Sequence, residues 1–135
     1  MREVKSYLDS IGLAYKDFGT FSPESCDYPE MAILAAPAVI SGECEYGIFI
    51  CGTGIGISMA ANKIAGIRAA LCTSCYMAEM TRRHNDANVL ALGGRTTEVG
   101  LALKIISVFL NTGFESGGRH SQRVEMLSDL DGKRG

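Results

Sequence analysis

Ile48-Phe49-Ile50-Cys51-Gly52-Thr53-Gly54-Ile55-Gly56-Ile57-Ser58, continued by Met59-Ala60-Ala61-Asn62-Lys63, is the stretch on which the reading of this chain turns. Its first three residues are large and apolar, and two are β-branched, which suits a strand buried on both faces of a parallel sheet. Glycines then recur at 52, 54 and 56, and an alanine-rich, helix-compatible segment follows. Strand, glycine-rich turn and helix in succession leave backbone N–H groups unpaired at the helix N-terminus. Those groups and the helix dipole favour an anion or a developing negative charge. Cys51 stands where the strand ends and the glycines begin, and a thiol near a helix N-terminus can act as a base or nucleophile near neutral pH. Against this, glycine-rich turns after strands are common, and this spacing fits neither G-x-G-x-x-G nor the lysine-bearing P-loop. A cysteine at a strand end is more often a small core residue. The rest of the chain has to decide.

The 135 residues suffice for one domain, 1–135, with a core that needs no staples. Apolar residues at 47% and charged residues at 21% are ordinary for a soluble globular protein. A formal charge of −2 gives no electrostatic basis for a nucleic-acid or membrane partner. With no long apolar run and no signal peptide, the expected compartment is the cytoplasm. Five cysteines in irregular positions fit a reducing compartment better than a disulfide scaffold. Cys72-x-x-Cys75 could suggest zinc or redox chemistry, but there is no second Cys pair and only 2 histidines. Neither a metal nor a cofactor is therefore expected.

Val4, Tyr7, Leu8 and Ile11 recur at helical spacing, with Gly12 as a stop. Leu13 to Phe18 reads as a strand, though its alternation is poor, and Phe21 to Pro29 as a loop. Asp27, with Glu30 three residues on, resembles a capping box that opens a helix to about Ile40, stopped near Gly42. Pro37 should kink that helix or end it early. After the central turn, Ile67 to Leu71 is a strand, and Ser74 can cap a helix to about His84. Val89 to Leu92 is the next strand, with Gly93-Gly94 turning after it. Helices follow from about Thr97 to Leu110 and from Arg119 to about Leu130, and the tail from about 129 to 135 is expected to fray. Strands alternating with helices predict an α/β, Rossmann-like three-layer domain with a mainly parallel sheet. Ligands of such sheets bind outside the carboxyl ends of the strands, and the chemistry-bearing residues are expected to converge on that one rim.

Two further segments are dense in polar groups. Arg82-Arg83-His84-Asn85-Asp86-Ala87-Asn88 precedes a buried strand, and its bland reading is a helix C-terminus followed by turn residues. In Gly117-Gly118-Arg119-His120-Ser121-Gln122-Arg123 the two arginines are four apart, so a helix puts both guanidinium groups on one face. Two such forks suit a phosphate, although two arginines more often mark a solvated helix face.

Asp27-Tyr28-Pro29, Ile50-Cys51-Gly52-Thr53-Gly54-Ile55-Gly56, Ala60-Ala61-Asn62-Lys63, Gly66-Ile67-Arg68-Ala69-Ala70, His84-Asn85-Asp86-Ala87-Asn88-Val89-Leu90 and Gly117-Gly118-Arg119-His120-x-x-Arg123-Val124 occur in this order. Together they resemble the type B ribose-5-phosphate isomerases and the related galactose-6-phosphate isomerase subunits. The resemblance runs from the first residues to about Leu127. It implies a metal-independent aldose–ketose isomerase of a phosphorylated sugar, ribose 5-phosphate before galactose or allose phosphates. Cys51 would move a proton between C1 and C2 through a cis-enediolate. Thr53 and the N–H groups of Gly52, Gly54 and Gly56 would stabilise the enediolate. His84 would open the sugar ring and Asn85 would hold a hydroxyl. Arg119 and Arg123 would bind the phosphate, with help from Arg95, and Tyr28 would line the pocket. The family's site lies between subunits, so the resemblance implies a homodimer or homotetramer.

Members of this family open on a β-strand ending in an Asp-His pair, the Asp contacting the sugar and the His helping to bind phosphate. From Met1 this sequence opens in the helix that follows, so the resemblance implies a sheet without that first strand. Either the Leu13–Phe18 strand then pairs directly with Tyr46–Ile50, or another chain covers the open edge. Two rivals stand beside the isomerase. One is a non-catalytic or partner-dependent sugar-phosphate-binding subunit of the same family; retention of Cys51 argues against it. The other is a thiol oxidoreductase, which needs an exposed, low-pKa thiol at Cys72 or Cys75.

Overall fold

The computed structural model of the protein describes residues 2–19 and 27–132. Its elements follow in the order α1 (Arg2–Ser10), α2 (Tyr28–Ile40), β1 (Gly47–Cys51), α3 (Ile55–Asn62), β2 (Ala69–Leu71), α4 (Cys75–Asn85), β3 (Val89–Gly93), α5 (Val99–Asn111) and α6 (Arg119–Asp131). The three strands form one parallel sheet in the order β1-β3-β2. β3 is central and buried along its whole length, as its unbroken apolar run requires of a parallel strand covered on both faces.

Alternation along β3 divides the core. Leu90 and Leu92 pack on one face with Val4 and Leu8 of α1, Ala78 of α4 and Ile105, Ile106 and Phe109 of α5. Val89 and Ala91 point the other way, joining Phe49 with Ala32 and Ala36 of α2 and Ile57 and Ala61 of α3. The result is a sheet of three strands between two helical layers, the α/β architecture expected.

Local chemistry explains most of the boundaries. The Ser74 side chain accepts from the Met77 N–H at 3.2 Å and opens α4, as expected. β2 begins at Ala69 rather than Ile67, because the Arg68 N–H is taken by the Asn88 side chain at 2.8 Å. The outer edge of β2 is closed by Asn62, whose side-chain amide donates to the Ala69 carbonyl at 2.9 Å and accepts from the Ala69 N–H at 2.8 Å. Asp27 does precede α2, but its side chain makes no cap bond, so the capping box does not form. Pro37 does not end α2, which runs to Ile40. The carbonyl deprived of the proline N–H belongs to Ile33, a residue 64% exposed.

Three expectations need correction or placing. Leu13 to Phe18 is not a strand, and Leu13 and Tyr15 are exposed. It therefore does not pair with β1, whose second edge carries no strand among the described residues. Part of the expected loop from Phe21 to Pro29 (residues 21–26) and the last three tail residues, 133–135, lie outside the described residues. Residues 129–131, expected to fray, lie within α6, where the Asp131 carboxylate accepts from the Gly66 N–H at 2.9 Å.

Candidate active site

Cys51 ends β1 directly opposite Gly93, which ends β3, so both mark the carboxyl edge of the sheet. The two turns beyond are tied together: the Gly94 N–H donates to the Cys51 carbonyl at 2.7 Å, and the Arg95 N–H to the Gly52 carbonyl at 2.9 Å. These bonds bring the Arg95 side chain over Gly52, where a Cβ would stand 3.6 Å from Arg95 Cδ.

Gly54 turns the chain into α3 with φ of 81°, a left-handed conformation that disfavours any side chain. In that conformation its N–H donates to Cys51 Sγ at 3.2 Å, and the next N–H, of Ile55, donates to Thr53 Oγ1 at 3.3 Å. The sulfur is thus fixed at the N-terminus of α3, whose first-turn N–H groups open onto the same rim. Tyr28 reaches this place from α2 and packs on Gly56; a Cβ there would fall 2.7 Å from Tyr28 Cζ. Cys51, Gly52, Thr53, Gly54, Gly56, Tyr28 and Arg95 therefore form one group.

His84, Arg119 and Arg123 form a second, at the start of α6, while Asn85, next to His84 in the chain, stands at a cavity under the end of that helix. α4 runs antiparallel to the strands, so its C-terminus reaches the amino edge of the sheet, where β3 begins. The His84 imidazole stacks on His120 of α6, with centroids 4.0 Å apart and planes 9° from parallel. Partial desolvation and then the nearby His84, Arg119 and Arg123 charges hold His120 below the ordinary histidine pKa; Arg119 adjoins His120 at the start of α6, and Arg123 lies one helical turn on. Arg119 and Arg123 are exposed at the start of α6. Asn85 lines a cavity of about 370 Å³ beneath α6 together with Asn62, Arg68 and Leu127.

The two groups do not meet within one chain. A five-residue strand separates the edges, a distance of about 13 Å at the usual rise per residue. The expected convergence on one rim is thus corrected: a residue preceding a parallel strand stands at its amino edge, and one following it at its carboxyl edge.

Neighbouring polar residues are structural. Arg82 is buried, its guanidinium 4.8 Å from the Tyr46 ring centroid and 5.7 Å from that of Phe109, and it donates to Thr112 O, Ala87 O and Asp86 Oδ1. Burial pushes the Cys72 thiol up to about 11, the opposite of what thiol–disulfide chemistry needs. Sequence reasoning missed Glu115. Its carboxylate accepts from Arg83 Nε at 2.6 Å and lies beside the stacked histidines. Only the family-like Gly117-Gly118-Arg119-His120 run a few residues on hinted at that position.

The family model described as Ribose/Galactose Isomerase matches residues 1–127. Ribose-5-phosphate isomerase B of Escherichia coli (strain K12) is 48% identical over 132 residues, covering 98% of this chain and 88% of that protein. The solved ribose-5-phosphate isomerase B of Clostridium thermocellum superposes with a TM-score of 0.94 at 52% identity, over 98% of this chain and 88% of that one. A solved ribose 5-phosphate isomerase from Thermotoga maritima gives 0.91 at 45% identity, over 95% of this chain and 88% of its own.

Proposed function

The chain belongs to the ribose/galactose isomerase family, and on that premise we propose that it interconverts ribose 5-phosphate and ribulose 5-phosphate as an aldose–ketose isomerase. The observation that carries this is the Gly54 N–H directed at Cys51 Sγ over 3.2 Å, at the N-terminus of α3. A base and a set of anion-stabilising donors in one turn are what proton transfer through an enediolate needs. Cys51 takes the proton from C2 of the open-chain aldose and returns it to C1. Thr53 and the N–H groups of Gly52 to Gly56 stabilise the charge that builds on the enediolate oxygens in between. His84 moves the proton that opens the sugar ring, and Asn85 holds a hydroxyl. Arg119 and Arg123 take the phosphate, Arg95 assists, and Tyr28 lines the pocket. The whole is one isomerase domain.

A site of this composition has to be assembled from two copies, because one chain keeps Cys51 and His84 at opposite edges of its sheet. Two exposed apolar faces support that reading. Tyr28, Ile33, Ile55 and Met59 of α2 and α3 border the Cys51 rim, and Met126, Leu127 and Leu130 extend from the His84 side along α6. We therefore read the active form as a homodimer or homotetramer with the pocket between subunits. No described helix is long and apolar enough to cross a membrane. The described cysteines, Cys44, Cys51, Cys72 and Cys75, are free thiols, in keeping with a cytoplasmic enzyme. A merely binding subunit is not favoured, since the relatives compared are isomerases and the thiol is present.

The deciding experiment is an isomerisation assay of the purified chain on ribose, allose and galactose phosphates. Turnover of ribose 5-phosphate is expected to be fastest, and no turnover of any of them would overturn the reading.

A further inference from the structure

Three ligating side chains meet where α4 ends and α6 begins. One ligand atom each from His84, Glu115 and His120 lie within 4.8 Å of one another, from an α4 position, the coil before α6 and its first turn. The two imidazoles lie face to face at 4.0 Å, so their in-plane lone pairs run parallel, and one ring must turn out of the stack before both can share an ion. Metal–nitrogen and metal–carboxylate bonds of about 2.0–2.2 Å require the three atoms to close to roughly 3.4 Å of one another. Glu115 is exposed and can supply its own share of that movement; the rest comes from rotation of an imidazole out of the stack. Releasing it does not strand its partner, because Arg83 keeps a second ion pair, to Glu79 at 3.0 Å. Arg119 and Arg123 beside His120 oppose a cation, and the Glu115 carboxylate offsets part of that charge.

We propose that His84, Glu115 and His120 form an inhibitory site for a divalent transition-metal ion of borderline softness, such as zinc. Two imidazoles and one carboxylate suit that class and leave a position open to solvent, whereas magnesium and calcium need more oxygen ligands than this place offers. An ion held here occupies a lone pair of the His84 imidazole. Its effect on turnover rests on the ring-opening role given to His84 above; the binding itself does not.

The test is titration of untagged protein with nickel chloride by calorimetry, after alkylation of its accessible thiols and without sugar phosphate. One ion per chain is expected. Glu115→Gln and His120→Ala should each weaken binding by more than the roughly 10–100-fold that an outer-shell partner commands. Glu115 lies in exposed coil, so its variant tests the site without threatening the fold. Unchanged binding in both variants, or no binding by the alkylated protein, overturns the site. A parallel isomerase assay in chelator separates the two ideas: turnover without metal binding sinks the metal site alone. Metal binding by a protein inert toward every sugar phosphate sinks the isomerase alone.

Discussion

The Gly54 N–H donates to Cys51 Sγ at 3.2 Å only because Gly54 holds φ at 81°. A Cβ at that position would stand 2.6 Å from Leu71 Cδ1 and 2.8 Å from the Leu92 carbonyl carbon. Gly54→Ala should therefore destabilise the protein by about 2–4 kcal/mol, the left-handed penalty plus the cost of overpacking against backbone. It should also lower turnover, since the sulfur loses its fixed donor. Chemical denaturation and the isomerase assay on the same sample check both effects. A variant as stable and active as wild type would mean that the turn relaxes without cost.

Cys51→Ala isolates the chemistry from the fold. The side chain is half-buried at the end of β1 and small, so little packing is lost. Turnover should fall by roughly 10²–10⁴-fold, the usual contribution of a general base, while sugar-phosphate affinity stays nearly unchanged. Turnover within a few-fold of wild type would reassign the base.

Arg119→Ala and Arg123→Ala should each weaken binding of ribose 5-phosphate and of inorganic phosphate by about 1.5–3 kcal/mol, the scale of a charge-assisted hydrogen bond. Competitive inhibition by phosphate measures this directly. If both variants keep wild-type inhibition constants, the phosphate is held elsewhere.

Much of this molecule could be read from local pattern, and the misreadings share a cause. The Ile48–Ile50 strand, the glycine turn and the Ser74 cap depend on neighbours in sequence, and all three are present as expected. Leu13–Phe18 failed because a strand needs a partner, and a six-residue window carries no information about one. α5 begins at Val99, two residues after the expected Thr97, because Glu98 caps it with its own carboxylate, accepting from the Gly100 and Leu101 N–H groups at 3.0 and 3.3 Å. The His84–His120 stack joins segments far apart in the chain, so neither segment could announce it. The family-like motifs, by contrast, named both histidines without locating them on one edge.

Cys72 and Cys51 should part company toward an alkylating reagent. Burial holds the Cys72 thiol near 11, so it carries almost no thiolate at neutral pH and only 1% of its surface is exposed. Folded protein treated with iodoacetamide at about pH 8 should be modified at Cys51 and not at Cys72, whereas denatured protein reacts at both. Peptide mass spectrometry reads the two sites separately. Equal rates in the folded state would show that the α4 layer opens far more readily than its packing suggests.

The proposed assembly of the pocket from two copies has a consequence that a self-contained site lacks. Cys51→Ala and His84→Ala homodimers are each expected to be inactive, because every pocket lacks one of its two proton-transfer groups. A mixed dimer differs. One of its pockets carries both substitutions and the other carries neither, since the intact Cys51 comes from one chain and the intact His84 from its partner. Random mixing of equal amounts puts half the chains in mixed dimers with one working pocket in two, so activity should return to about one quarter of wild type. Co-expression, or mild denaturation and refolding of the two variants together, supplies the mixture, and unmixed samples carried through the same steps are the control. If the mixture stays as inactive as its parents while mixed dimers are seen by native mass spectrometry, Cys51 and His84 do not act across a subunit boundary.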